Sequence, residues 1–279
     1  MSEMPGPDPE VFLARHSQAA YKSFSETIGS ENPQSPYDPE SQITPDLTEA
    51  GAKLAHEKAE QFLDLLHPET DLLFFVSSNE ARALETANIY RQIAHSRGFE
   101  VISPDNPRSK LAATLGEGEI RVIDNLSINS KNPLIDSLFN PVRMPSNTNW
   151  GAVDRETKDK WDAARAIVSS DDRGSWGSNF HAHSHEVKEI FPEIKTAEEL
   201  YEGKFQNLMR LVKWADKKVR GSGLEKNVKI LAFGHENYLV VALDRYFHEH
   251  NINNCETIRL KVEDRIVKGE FHDKEAEIG

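Results

Sequence analysis

Val11-Phe12-Leu13-Ala14 runs directly into Arg15-His16, and Leu231-Ala232-Phe233-Gly234 runs directly into His235. Short, continuous apolar runs of this kind suit strands of a parallel sheet covered on both faces. In open α/β sheets the ligand crevice lies outside the carboxyl ends of the strands. Two histidines and an arginine, far apart in the chain, are therefore expected to meet in one crevice. That grouping suits binding an anion and attacking it with an imidazole.

Outward from these two runs, strands and helices alternate. Asp71-Leu72-Leu73-Phe74-Phe75-Val76 reads as a second buried strand, with Ser77-Ser78-Asn79 as a turn or N-cap after it. A helix follows over residues 80–96, with Leu84, Ala87, Tyr90 and Ile93 on its apolar face. Behind Thr44-Pro45-Asp46, the residues Leu47, Gly51, Leu54, Ala55, Phe62, Leu65 and Leu66 recur at helical spacing. Residues 17–45 are a polar loop, of a length that is usually functional or mobile. Residues 99–102 and 119–123 read as short strands, 197–219 as a long amphipathic helix, and 257–271 as one or two edge strands.

This order predicts an α/β fold, a three-layer α/β/α sandwich with a mostly parallel central sheet. A single domain is expected over residues 8–279, with residues 125–192 as an insertion that caps the crevice. That insertion carries Pro133, Pro141 and Pro145, a helix over 155–168 and a polar stretch over 169–184. Its apolar content reads as too thin for a core of its own.

With 279 residues, 38% of them hydrophobic and 28% charged, the chain has the composition of one large soluble domain. A formal charge of -13 argues against nucleic acid or an anionic membrane as the main partner. The sequence contains no run of about 18 apolar residues that would span a membrane. Met1-Ser2-Glu3-Met4-Pro5-Gly6 has neither the basic region nor the apolar core of a signal peptide. Cys255 is the single cysteine, so no intrachain disulfide forms, and a cytoplasmic setting is expected. It lies in the polar run Asn253-Asn254-Cys255-Glu256 and reads as a structural thiol. Oligomeric state leaves no mark in the sequence.

Three strand ends agree in kind: Arg15-His16, the Ser77–Arg82 segment, and Gly234-His235-Glu236. Arg82 falls in the first turn of a helix, where backbone N–H groups and the dipole already favour an anion. Guanidiniums offer planar, forked donors that match phosphoryl oxygens. A neutral imidazole among them is a nucleophile toward phosphorus, because nearby positive charge lowers its pKa. A second, protonated histidine would donate to the equatorial oxygens in the transition state.

The set resembles the histidine phosphatase superfamily, with the phosphoglycerate-mutase-like fold, over most of the chain. The Arg-His signature reads Ala14-Arg15-His16-Ser17, and the Leu-Thr-x-x-Gly turn reads Leu47-Thr48-Glu49-Ala50-Gly51. The Ser-x-x-x-Arg-Ala-x-x-Thr-Ala motif runs from Ser78 through Arg82-Ala83 to Thr86-Ala87, and the closing Gly-His pair is Gly234-His235. By this resemblance His16 becomes the phosphohistidine, while Arg15, Arg82 and His235 hold the phosphoryl group. Two positions depart from the mutase-like pattern: Lys22 stands where an Asn is frequent, and Ile128 where a catalytic Glu follows the third strand. The acid-phosphatase branch places its proton donor directly after the second histidine, which implies Glu236; Asp124 is the second choice, with Glu117 and Glu119 behind it. Glu236 also reads as a carboxylate stabilising a helix N-terminus. Lys22 reads as a contact to the non-transferred part of the substrate or as a solvated loop lysine.

The expected activity is thus a metal-independent, histidine acid phosphatase-like phosphomonoesterase with no cofactor. Sugar phosphates, nucleotides, phosphoproteins and inositol phosphates all fit as substrate. Two alternatives are a phosphoglycerate-mutase-type phosphotransferase and a non-catalytic phosphate-binding or scaffold protein. A third is a metal-dependent hydrolase built on His181, His183 and His185, which would share one face of a strand. That segment reads more simply as a surface or lid loop. Trp150, Trp161 and Trp176 read as core or lid packing.

Overall fold

Residues alternate sides along a β-strand, so a strand buried on both faces must be apolar throughout. The central strands follow this rule except near their amino ends, where Glu10, Asp71 and Lys229 pair with one another. Val11 and Leu13 of β1 (Glu10–Arg15), Leu72 and Phe74 of β2 (Asp71–Ser77), and Val228, Ile230 and Ala232 of β4 (Asn227–Gly234) share one core cluster. Their neighbours Ala14, Leu73, Phe75, Leu231 and Phe233 belong to a second cluster. The computed structural model describes residues 9–20, 46–77, 81–101, 154–171, 174–192, 194–202, 212–213 and 226–278.

Seven strands form one sheet in the order β3-β2-β4-β1-β5-β6-β7, with β3 at Glu100–Val101, β5 at Thr257–Glu263, β6 at Ile266–Phe271 and β7 at Lys274–Glu277. The pairs β2–β3, β2–β4 and β1–β4 are parallel; β1–β5, β5–β6 and β6–β7 are antiparallel. The sheet is therefore mixed, where a mostly parallel one was expected. The reason is the carboxyl-terminal segment. Asp264 and Arg265 both take positive φ, 51° and 68°, in the two-residue connection between β5 and β6, which is the backbone a tight hairpin requires. The expected edge strands thus become a three-stranded meander, and its first member pairs with β1 inside the sheet.

Helices cover the two faces. On one lie α1 (Glu49–Leu63), through Ala52, Ala55, Ala59 and Leu63, and α2 (Ala81–Ser96), through Ala83, Leu84, Ala87, Tyr90 and Ile93. Small alanines let α1 and α2 sit close to the sheet. The other face receives α5 (Glu236–Ala242) and its π-helical continuation Leu243–Phe247, through Leu239, Val240, Leu243 and Phe247. Between α2 and α5 in the chain come α3 (Arg155–Ser169) and α4 (Trp176–Ile190). They hold a small third cluster with Phe180, Val187, Phe191 and Tyr201, closed by Val241 of α5. This cluster is shared with Ile194, Ala197 and Tyr201 farther along the chain and with α5. The segment from His181 to His185, read as a surface or lid loop, lies within α4, which is capped by the Ser175 side chain accepting from the Ser178 N–H. Among the described residues, no helix is long and apolar enough to cross a membrane.

Gly51 is a close-approach glycine. A Cβ there would stand 1.9 Å from the Gln18 carbonyl oxygen. Around it the chain after β1 is stitched to the entry of α1 by Ala20 N–H to Asp46 O (2.7 Å), Thr48 N–H to Gln18 O (3.2 Å) and Ser17 Oγ to Gly51 O (2.6 Å). Because the clash is with backbone, Gly51→Ala is expected to destabilise the fold by about 1–3 kcal/mol, the usual cost of overpacking. A lowered urea midpoint at unchanged m-value is the readout; an unchanged midpoint refutes the close-approach account.

Candidate active site

Register decides where the site lies. Arg15 is level with Gly234, and Ser77 with Phe233, so three parallel strands end on one edge. The His16 N–H continues the ladder to Gly234 O at 3.0 Å. His16 and His235 face each other there, ring centroids 5.0 Å apart at 61°, both almost wholly buried. The structure thus brings His16, His235, Arg15, Arg82 and Glu236 to one edge of the sheet. Asp124, Lys22, Glu117 and Glu119 lie outside the described residues.

His16 Nδ1 is 2.6 Å from the Ser17 carbonyl oxygen. A carbonyl only accepts, so Nδ1 carries the proton and Nε2 the lone pair. Burial, reinforced by the charges of Arg82 and Arg15, pushes the His16 pKa down to about 3, although the Ser17 hydrogen bond pulls the other way. The ring is therefore neutral at physiological pH, with a lone pair on Nε2.

The two arginines are each held by a carboxylate. Arg82 donates from Nη1 to Asp46 Oδ2 at 3.3 Å, and the Asp46 side chain is 1% exposed. Glu85 fixes that partner: its Oε2 accepts the N–H groups of Asp46 (2.9 Å) and Leu47 (2.8 Å). Thr86 Oγ accepts the Ser17 N–H at 3.0 Å and donates to the Arg82 carbonyl at 2.7 Å. The motif on α2 thus ties the residue after His16 to the arginine of the pocket. Arg15 donates from Nη1 to the Ile252 carbonyl at 2.6 Å, and the same nitrogen stands 2.6 Å from Glu236 Oε2. Glu236 Oε1 accepts the Gly177 N–H at 2.6 Å.

Asp46, Glu85, Ile252 and Gly177 were not singled out in the sequence as site residues. Asp46 read only as a helix start, and nothing local marks it as the partner of an arginine 36 residues on. Ile252 contributes its backbone carbonyl alone, which no side-chain pattern can announce.

His181, His183 and His185 lie on α4, not on a strand or loop. Helical spacing puts His181 and His185 on one side and turns His183 away. Each faces acids: His181 meets Glu198 and Asp244, His183 meets Asp171 and Glu186, and His185 meets Glu198. Among the described residues, no group of three or more His, Cys, Asp or Glu side chains is arranged to hold a metal ion. Burial pushes the Cys255 thiol up to about 11, away from the thiolate that reactivity requires.

No protein-family model matches the chain, and no curated protein matches it in sequence. Among solved structures it is similar to phosphoglycerate mutase from Bacillus anthracis str. Sterne, at 12% identity and a TM-score of 0.46, covering 96% of this chain and 93% of that one. It is also similar to the multiple inositol polyphosphate phosphatase of Bifidobacterium longum, at 13% identity and a TM-score of 0.43, covering 99% and 88%. A third, Hafnia alvei phytase, has 12% identity and a TM-score of 0.34 over 95% and 84%. At such similarity, function has to be read from the side chains themselves.

The state of His16 is directly measurable. Its ¹⁵N imidazole shifts are expected to remain those of the neutral Nδ1–H tautomer from about pH 8 to about pH 5. Titration near the ordinary value of 6.5 would refute this. Because the folded-state pKa lies below the unfolded one, the stability that goes with the neutral ring is complete above about 6.5 and is lost as pH falls toward about 3.

Proposed function

We propose that the chain is a phosphohydrolase of the histidine phosphatase superfamily, a phosphomonoesterase working through a phosphohistidine. The observation that carries this reading is the neutral His16 ring, its proton fixed on Nδ1 by the Ser17 carbonyl, among Arg15, Arg82 and His235. An imidazole kept neutral by burial, and further by adjacent guanidiniums, is costly to build for packing alone. It is what attack on a phosphoryl group requires.

In the proposed first step His16 Nε2 attacks phosphorus in line and the P–O bond to the leaving group breaks. The positive charge gained by the ring is shared through Nδ1–H with the Ser17 carbonyl. Arg15, Arg82 and His235 stabilise the equatorial oxygens as charge moves. A carboxylic acid gives its proton to the departing alkoxide; Glu236 and Asp124 are the two candidates. Water then attacks phosphorus, the P–N bond breaks, inorganic phosphate leaves and the carboxylate recovers a proton from that water. Guanidiniums supply the charge stabilisation that a metal would otherwise provide, so neither metal nor cofactor enters the scheme.

The same proposal takes the fold as a three-layer α/β/α sandwich forming one domain over residues 8–279, with residues 125–192 capping the pocket. It assigns Lys22 to the non-transferred part of the substrate and places the protein in the cytosol, where a chain with one cysteine needs no disulfide. The ligand class is a phosphorylated small molecule or protein; nucleic acid and membranes are not partners.

Phosphate release from a panel of monoesters in EDTA, wild type against His16→Ala, tests the reading. Loss of activity by roughly a thousandfold or more is expected on removing the nucleophile, with an acid-labile, base-stable phosphoenzyme trapped only in wild type. Undiminished turnover in His16→Ala sinks the mechanism. A wild type inert across the panel that still binds phosphate would establish the binding-protein alternative instead.

A further inference from the structure

Glu236 is the first residue of α5 and follows the second histidine, the position that suggested a proton donor. Its surroundings suit a different task. The side chain is 7% exposed, Oε1 takes the Gly177 N–H, and Oε2 stands against Arg15. One oxygen is tied to α4 and the other stands against the arginine, so the side chain is fixed between two elements.

Two further observations give the contact a purpose. Gly177 is the second residue of α4, and a Cβ on it would stand 2.5 Å from Glu236 Cγ and 2.9 Å from Cδ. Only a glycine lets α4 come this close. Arg15, meanwhile, has Nη1 engaged by the Ile252 carbonyl and Glu236, while its Nε is buried with no hydrogen-bond partner among the described residues. An unsatisfied buried N–H is costly and calls for an acceptor. An Arg held at Nη1 presents its Nε edge, the side that forks around two phosphoryl oxygens.

We propose that Glu236 is a positioning residue that holds Arg15 by Nη1, aims its Nε edge at the phosphoryl group, and couples that aim to the seating of α4 through Gly177. This rests on the phosphohydrolase reading above and assigns the leaving-group proton to another acid. The pocket is complete only while the amino-terminal end of α4 is docked on Glu236. A shift of α4 is then felt at Arg15, and the insertion can sense the non-transferred part of the substrate.

Leaving groups separate positioning from proton donation. A phenolate such as 4-nitrophenolate departs without a proton, whereas an alkoxide needs one. Glu236→Gln removes the charge against Arg15 and keeps an acceptor for Gly177. It is expected to slow 4-nitrophenyl phosphate and an alkyl phosphate by the same factor, roughly tenfold to a hundredfold, as for a misaimed binding group. Gly177→Ala keeps the carboxylate but displaces it, because the three atoms nearest the new Cβ all belong to the flexible Glu236 side chain. It should reproduce the Gln phenotype, and the double variant should add little to either alone.

Titration with inorganic phosphate gives a readout free of turnover: both variants should bind more weakly, and Glu236→Asp should recover part of the affinity. Circular dichroism on each variant confirms that α4 and the fold persist. A large loss on the alkyl ester with little on the nitrophenyl ester, or tighter phosphate binding by Glu236→Gln, overturns the proposal. If wild type hydrolyses neither ester, the phosphohydrolase reading fails, and the aiming of Arg15 is decided by the phosphate titration alone.

Discussion

The insertion of β4 between β1 and β2, parallel to both, is the constraint on which the rest depends. It sets Arg15 level with Gly234 and Ser77 level with Phe233. A slip of one residue would turn every apolar side chain of a strand to the wrong face, and two packed cores forbid it. The geometry of the site is therefore inherited from hydrophobic register. The histidines need no contact of their own to be brought within 5.0 Å ring to ring. Beyond the strand ends the ladder persists for one more bond, from His16 N–H to Gly234 O, so His16 is placed with the rigidity of a strand residue.

On this edge, charge and burial work together. Taking an imidazole out of water favours its neutral form, and two adjacent guanidiniums push further in that direction. The guanidiniums themselves could not be buried uncompensated, and each has a carboxylate: Asp46 for Arg82 and Glu236 for Arg15. Those carboxylates are fixed from elsewhere, Asp46 through its backbone by Glu85 on α2 and Glu236 by Gly177 on α4. Arg15 is thus oriented through α4, an element other than the one that carries it, whereas α2 both carries Arg82 and fixes its partner. The α2 motif is intelligible in these terms: Arg82 reaches the pocket, Ala83 and Ala87 pack without exposure, Glu85 clamps the entry to α1, and Thr86 holds Ser17.

Much of this was legible in the sequence where a regular physical pattern produced it. Continuous apolar runs announced β1, β2 and β4, and the 3.6-residue recurrence announced α1 and α2. Arg15, His16, Arg82, Gly234 and His235 stood at their ends. What escaped notice has other causes. In α4 the buried positions include Gly177, Ser178, Asn179 and Ser184, small polar residues that satisfy one another or the backbone, so no apolar stripe marks the helix. The antiparallel meander was blurred because β5 has polar residues on alternate positions, as an edge strand would, yet pairs on both sides. Asp46, Glu85 and Ile252 act over 36 or more positions of chain, or through backbone alone, and long-range pairing leaves no local trace.

A formal charge of -13 sits oddly with the phosphate ligand proposed for this chain, and the distances resolve the matter. Surface charges act through water and salt, where the field decays over about 8 Å at physiological ionic strength. Inside the site the effective dielectric is lower, so a few well-placed N–H donors and guanidiniums outweigh a diffuse acidic surface. Because Asp46 and Glu236 stand against the two arginines, the attraction of this edge for an anion is short-ranged and directional. Selectivity then comes from forked donors at fixed angles, not from a broad positive field. That is why the orientation of Arg15 and Arg82, and not the overall charge of the chain, governs what this pocket can bind.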